Sequence, residues 1–234
     1  MSTITLNRSA LHEQVSQGLR ELIIYGQYKP GERLNIDRLA REMGVSTTPV
    51  REALARLVSE RLVTFQPNRG YRVTPLPDTG WLADLFDVRA LLEPYAARRA
   101  AERRDAQVLE RLCELQEQIF RLDPEDQRSC LTFVQLNQQF HTLIIEAAGN
   151  RALIEQYTTL SYHAQIGLVY RLGLKDIPQV LDEHVPILDA FRAGDGAAAE
   201  SAMYLHIVGG KQRAITFVSQ ACEGEANTQV SNLA

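Results

Sequence analysis

The chain is poor in cysteine. Cys113, Cys130 and Cys222 are its only three, scattered without any CxxC spacing. That pattern argues against a zinc ribbon and a disulfide framework, and it points to reduced thiols. No apolar run approaches the roughly 18 residues a membrane span needs. The start, MSTITLNRSALHEQV, lacks a basic stretch followed by an apolar core and does not read as a secretory signal. A cytoplasmic location and no membrane partner are therefore expected. No nucleophile elbow, P-loop or HExxH helix is present either.

Positive charge is scarce overall, with a formal net charge of −4, but it is unevenly spread. Residues 1–76 hold 11 Lys and Arg against 7 Asp and Glu, a surplus of four bases; the remainder holds 14 bases and 22 acids. A basic front on an acidic body suits a polyanion-binding module joined to something else. The length of 234 residues allows two domains, each with its own core.

Two segments differ in pattern. The front reads as short helices followed by a hairpin. In LVTFQPNRGYRVTPL the expected elements are a strand over Leu62–Gln66, a turn over Pro67–Gly70 and a strand over Tyr71–Thr74. TPLPDTG, with two prolines, reads as a connector, and residues 77–80 are taken as the linker. From Trp81 onward only helical patterns occur, interrupted by RLDPEDQRS, GN, LGLKDIPQ and AGDG. The expected fold is mostly α: a winged helix-turn-helix over 8–76, then an all-α bundle of about six helices over 81–220. A polar tail, 221–234, is expected to fray.

Within the front, Leu11, Val15, Leu19, Leu22 and Ile23 form the stripe of a helix over Leu11–Tyr25. IDRLAREMG makes a second helix that Gly44 ends. Ser46 is placed to cap a third, with Pro49 in its first turn, where no intrahelical N–H is lost. Val50, Ala53, Leu54, Leu57 and Val58 face inward, and Thr47, Thr48 and Arg51 are left at the helix start. Orphan N–H groups, hydroxyls and a guanidinium suit phosphates and base edges. A helix-turn-helix, over about 36–55, docks by that turn, and the Asn68-Arg69-Gly70 tip makes a basic wing. Arg38 and Arg56 are candidate phosphate contacts or ordinary solvated residues.

The stretch YKPGERLNIDRLAREMGVSTTPVREALARLVSERLVTFQPNRGYRV resembles the DNA-binding domain of GntR-family bacterial transcription regulators, over about residues 10–75. The resemblance implies DNA contacts from Arg33, Arg51, Arg69 and Gly70; the reading of the helix itself adds Ser46, Thr47 and Thr48 at its start and Arg56 as a candidate phosphate contact. Thr47 stands where many relatives carry Arg, which removes one bidentate base reader.

In the body, Asn137 and His141 share a helical stripe that continues through Ile144 and Ala148. His206 lies on the stripe of Ala199 and Met203, and His184 ends VLDEH. Spacing alone leaves two readings open: satisfied histidines, or ligands converging on a Zn-like ion. Arg89, on the stripe of Leu82, Leu85 and Leu92, needs an anion, either Glu93 one turn on or an effector carboxylate. Tyr95, Tyr162 and His163 could line the same cavity. Pro186, just after His184, interrupts the expected helix.

LFDVRALLEPYAARRAA, NQQFHTLIIEAAGN and EHVPILDAFRAGDGAAAESAMYLHI resemble the FCD ligand-binding domain of the FadR-type subfamily, across residues 81–220. That resemblance implies a divalent metal on His141, His184 and His206, with Asn137 in the place of the usual Asp. It also implies a small carboxylate effector, with Arg89 as its clamp. The expected protein is a homodimeric regulator, commonly a repressor, on a pseudo-palindromic double-stranded DNA operator. The competing expectation is a metal-dependent enzyme with Glu183 or Glu146 as general base.

Overall fold

A computed structural model describes residues 8–123, 126–160 and 177–231. The chain divides into two compact units, Met1–Leu76 and Pro77–Ala234.

In the first unit, α1 spans Arg8–Ile24, α2 spans Ile36–Met43 and α3 spans Thr47–Ser59. Helix α1 begins three residues ahead of the expected Leu11. It buries Val15, Leu19 and Ile23, a repeat of four that keeps one face against α3. Asn35 caps α2 by accepting from the Arg38 N–H. Gly44 ends α2 at φ +66°, with its N–H returned to the Ala40 and Arg41 carbonyls. Any side chain there would be strained, so the glycine fixes the tight passage into α3. Val50, Leu54 and Leu57 are fully buried on α3. Truncating either leucine to alanine would cost about 2–5 kcal/mol.

The strands are β1 (Arg33–Leu34), β2 (Val63–Gln66) and β3 (Gly70–Val73), antiparallel in the order β1-β3-β2. Val63 pairs with Val73 and Phe65 with Tyr71, and the two rings lie 4.8 Å apart. The two-residue β1, which the sequence pattern did not announce, sets Arg33 opposite Arg72. It is too short to carry an alternation signal.

The second unit is helical throughout its described residues: α4 (Thr79–Arg103), α5 (Ala106–Phe120), α6 (Gln127–Ala147), α7 (Arg151–Leu160), α8 (Ile177–Ala193) and α9 (Gly196–Ser231). Four of these starts carry an Asp or Asn cap. Asp78 accepts from Trp81 N–H, Asp105 from Gln107 and Val108, Asn150 from Leu153, and Asp195 from Ala198. The Asp78 cap starts α4 two residues before the expected Trp81. Ala96, Ala97, Ala100 and Ala101 make a small-residue face on α4, the helix that packs most extensively on α9. Phe86, Leu112, Phe140, Ile187 and Met203 fill the centre. Helix α8 continues through Pro186. Helix α9 runs to Ser231, past Ala221 where fraying was expected. The segment from 222 on has no proline and carries the good helix formers Glu, Ala and Gln.

Candidate functional site

Two groups of predicted residues are placed by these helices. The first is the start of α3. Ser46 occupies the N-cap position with extended backbone, but its hydroxyl makes no capping hydrogen bond, contrary to expectation. The amide groups of the first turn therefore do not spend their hydrogen-bonding capacity on that hydroxyl. Thr48 and Arg51 are exposed beside it and Thr47 is half-buried. Arg33 on β1 and Arg69 in the hairpin turn are also exposed, and Gly70 adopts φ +78°. Arg56 stands apart from these. It is ion-paired with both Glu13 and Glu60, which neutralises the charge that a phosphate contact would use. Arg38 is likewise held by Glu42, at 2.7 Å.

The second group is a cluster inside the helical unit. Helix α6 delivers Asn137 and His141 from successive turns, α8 delivers His184 and α9 delivers His206. All four are buried. One nitrogen of each histidine lies within 4.8 Å of the others. The Nε2 atoms of His141 and His206 are 3.2 Å apart, and their rings are nearly parallel at 19°. His184 is stacked on Phe140 with centroids 4.0 Å apart.

The opposite ring nitrogens point outward to acceptors. His184 Nδ1 is 2.9 Å from Gln116 Oε1, His206 Nδ1 is 2.8 Å from Glu183 Oε2, and His141 Nδ1 is 2.6 Å from Glu93 Oε2. Hydrogen bonds at the His184 and His206 Nδ1 atoms favour the tautomer that leaves a lone pair on Nε2; at His141 the Glu93 carboxylate lies close without meeting hydrogen-bond geometry. His184 Nε2, His141 Nδ1 and Asn137 Oδ1 are buried without a hydrogen-bond partner. Unsatisfied buried acceptors among converging imidazoles suit a cation.

Electrostatics favour neutral rings at His184 and His206. Burial holds His184 well below the usual histidine range, aided by the other histidines and Arg213. Burial also lowers His206 to about 4, against the hydrogen bond to Glu183. Burial pushes the Glu183 carboxyl up, but hydrogen bonds from His206 and Arg213 outweigh it and hold it at about 2. For Glu93, too, burial is outweighed, by Arg89 and His141, leaving it well below the usual carboxylate range.

Arg89 is buried and paired with Glu93 through Nε–Oε1 at 2.6 Å, the anion one turn on that the sequence offered beside an effector carboxylate. Tyr95 is exposed and its hydroxyl lies 3.4 Å from Arg99, so it does not line the buried cluster. Tyr162 and His163 lie outside the described residues. Sequence reasoning missed Gln116 and Arg213 and gave Glu93 only to Arg89. Arg213 follows His206 by two turns, a signal that was there to be used. Gln116 had none. An open groove of about 380 Å³ between α5 and α6 is lined by Arg111, Gln135, Gln139 and Glu146, and by none of the four cluster residues.

Residues 11–73 match the gntR family of bacterial regulatory proteins, and residues 84–209 match the FCD domain. The chain belongs to the GntR family, with an FCD domain. This GntR regulator is 32% identical to the Nta operon transcriptional regulator of Aminobacter aminovorans, over 74% of the chain and 80% of that protein. It is 29% identical to the transcriptional repressor GlaR of Escherichia coli, over 88% and 94% of the two chains. The structure of E. coli McbR/YncC superposes with a TM-score of 0.65 over 90% of this chain and 98% of that one; at 24% identity that likeness concerns the fold. As a GntR regulator the protein is a DNA-binding transcription factor and not an enzyme, which removes the competing expectation. GntR regulators with this architecture bind operators through the first domain and small effectors through the FCD domain. Among the described residues no helix is long and apolar enough to cross a membrane.

Proposed function

We propose that the protein is a cytoplasmic, homodimeric repressor whose grip on a pseudo-palindromic operator is set by a small carboxylate bound at a divalent metal in the FCD domain. The observation that carries this is the convergence of one ring nitrogen from each of three buried histidines within 4.8 Å, with the buried, unbonded Asn137 oxygen one turn before His141 on α6. These residues fit a metal. His141, His184 and His206 would supply imidazole, which suits Zn²⁺ or a similar ion, and Asn137 a neutral oxygen. When bound, the cation supplies positive charge for an anionic effector. With no carboxylate among the four ligands, the protein leaves that charge uncancelled, which favours a carboxylate ligand.

On DNA, α3 enters the major groove by its first turn, with Ser46, Thr47, Thr48 and Arg51 at base edges and phosphates. Arg33, Arg69 and Gly70 contact the flanking backbone or groove. Dimerisation is supported by large apolar side chains left open on two helices of the FCD domain. Leu91 on α4 is 75% exposed and Leu205 on α9 is 67% exposed. Binding of effector to one of two populated dimer arrangements then changes operator affinity by linkage.

The test is metal analysis of the natively purified chain, together with gel retardation of its own upstream DNA with and without added Zn²⁺. Bound metal and selective retardation that responds to metal or co-purifying acids are expected. Protein free of metal, with retardation indifferent to Zn²⁺, would sink the reading.

A further inference from the structure

The polar ring behind the histidines has a composition that the ligands alone do not explain. Three helices each place one acceptor against one Nδ1: Glu93 from α4, Gln116 from α5 and Glu183 from α8. Two of the three are carboxylates, and each is held by an arginine. Arg89 pairs with Glu93 at 2.6 Å, and Arg213 grips Glu183 with both Nη atoms, at 2.5 and 2.7 Å. Each outer pair is close to neutral, so it aims and polarises a histidine without cancelling the charge of a metal.

Glu183 has a second constraint. It sits one residue before His184 in sequence yet serves His206 on α9. Gly209 of α9, three residues after His206, lies against Glu183 and its Arg213 partner. A Cβ on Gly209 would lie 2.9 Å from Glu183 Oε1 and 3.2 Å from Arg213 Nη1. A glycine inside a long helix is destabilising against alanine. Here a side chain would press on the carboxylate and the guanidinium, whose ends would have to move.

We infer that Glu93, Gln116 and Glu183 are positioning residues that turn the three imidazoles Nε2-inward, and that Glu183, gripped by Arg213 and flanked by Gly209, sets how tightly a metal is held. This rests on the metal reading above. The outer carboxylates do part of the work that an inner Asp at position 137 would do, by raising the donor strength of His141 and His206. Gln116 is the weak member: it orients His184 without a charge.

The experiment titrates the metal-stripped full chain with Zn²⁺ against a chromogenic chelator, and reads the ring tautomers by ¹⁵N NMR. Glu183→Gln is expected to weaken Zn²⁺ binding about 10- to 100-fold. Gly209→Ala, which leaves every polar group in place, should shift affinity in the same direction. Gln116→Glu should tighten it and keeps the test open if the other variants fold poorly. In the metal-free wild type the His206 signals should report hydrogen on Nδ1. Zn²⁺ affinities within twofold of wild type for the folded variants, or hydrogen on His206 Nε2, would overturn the inference while leaving the metal site standing. A wild-type chain that takes no Zn²⁺ would instead overturn the metal reading, and this inference with it.

Discussion

The Nε2 atoms of His141 and His206 face each other at 3.2 Å, while both Nδ1 atoms are turned to carboxylates. If both rings carry hydrogen on Nδ1 toward those carboxylates, their Nε2 lone pairs face each other and a cation between them relieves the repulsion. His206→Ala removes one of the two donors and the repulsion together. Metal content, measured by elemental analysis of the purified chain, is expected to fall to background. Binding to nonspecific DNA should persist, because the winged domain is a separate compact unit. Unchanged metal content would take His206 out of the site.

Asn137 is the departure with the clearest consequence. Its Oδ1 is buried without a hydrogen-bond partner, and on the proposed metal reading it serves as a ligand that brings no charge. Asn137→Asp adds a full negative charge at the same reach. Zn²⁺ affinity of the stripped protein should rise by tenfold or more, about 1.4 kcal/mol. Any tightening of Zn²⁺ by added acetate should shrink in the variant, because the protein then supplies what the acid did. Competition titrations with and without acetate check both effects. Equal acetate dependence in the two proteins would count against the neutral-site account.

Acid should destabilise the metal-free protein in two steps of the same sign. His206 is lowered to about 4 from 6.5, so the folded state prefers its neutral form. The stability this contributes is complete above 6.5 and is lost as pH falls from 6.5 through about 4. Glu183 is lowered to about 2 from 4.5, so its contribution is complete above 4.5 and is lost as pH falls through about 2. Thermal unfolding of the stripped chain should therefore show Tm dropping between pH 6.5 and 4. His206→Gln should flatten that interval more than the one below it. A Tm profile that the variant does not alter would contradict the assignment.

The winged domain was legible because its signals are local. Gly44 ends a short amphipathic helix, Pro49 tolerates only a first turn, and the Asn68–Gly70 tip separates two alternating strands. The buried cluster was only half legible. An i,i+4 spacing tells that Asn137 and His141 share a face, but not which other helix that face meets. The convergence of His184 and His206 on it came from family resemblance, and the structure supplies the distances. Gln116, 68 residues before His184, carries no periodic mark of its role. The ion pair of Arg56 was hidden for the same reason: its partner Glu13 is 43 residues away on α1. Ion pairs between distant helices leave no trace in a stripe.

Arg51 and Arg56 lie five residues apart on α3, yet they should behave differently on DNA. Arg51 is exposed at the helix start, whereas Arg56 is engaged by Glu13 and Glu60 in the helix's second half. Arg51→Ala is expected to weaken operator binding by about 1–3 kcal/mol and to relax preference for the operator over random DNA. Arg56→Ala should leave that preference in place and change stability by only about 0–1 kcal/mol, since its pairs are solvent-exposed. Fluorescence anisotropy across a salt series separates the two outcomes, because a lost phosphate contact lowers the salt slope by about one. A reduced slope for Arg56→Ala would mean that DNA draws its guanidinium away from both glutamates. An Arg51→Ala protein that still selects the operator at wild-type strength would place the reading surface elsewhere than the first turn of α3.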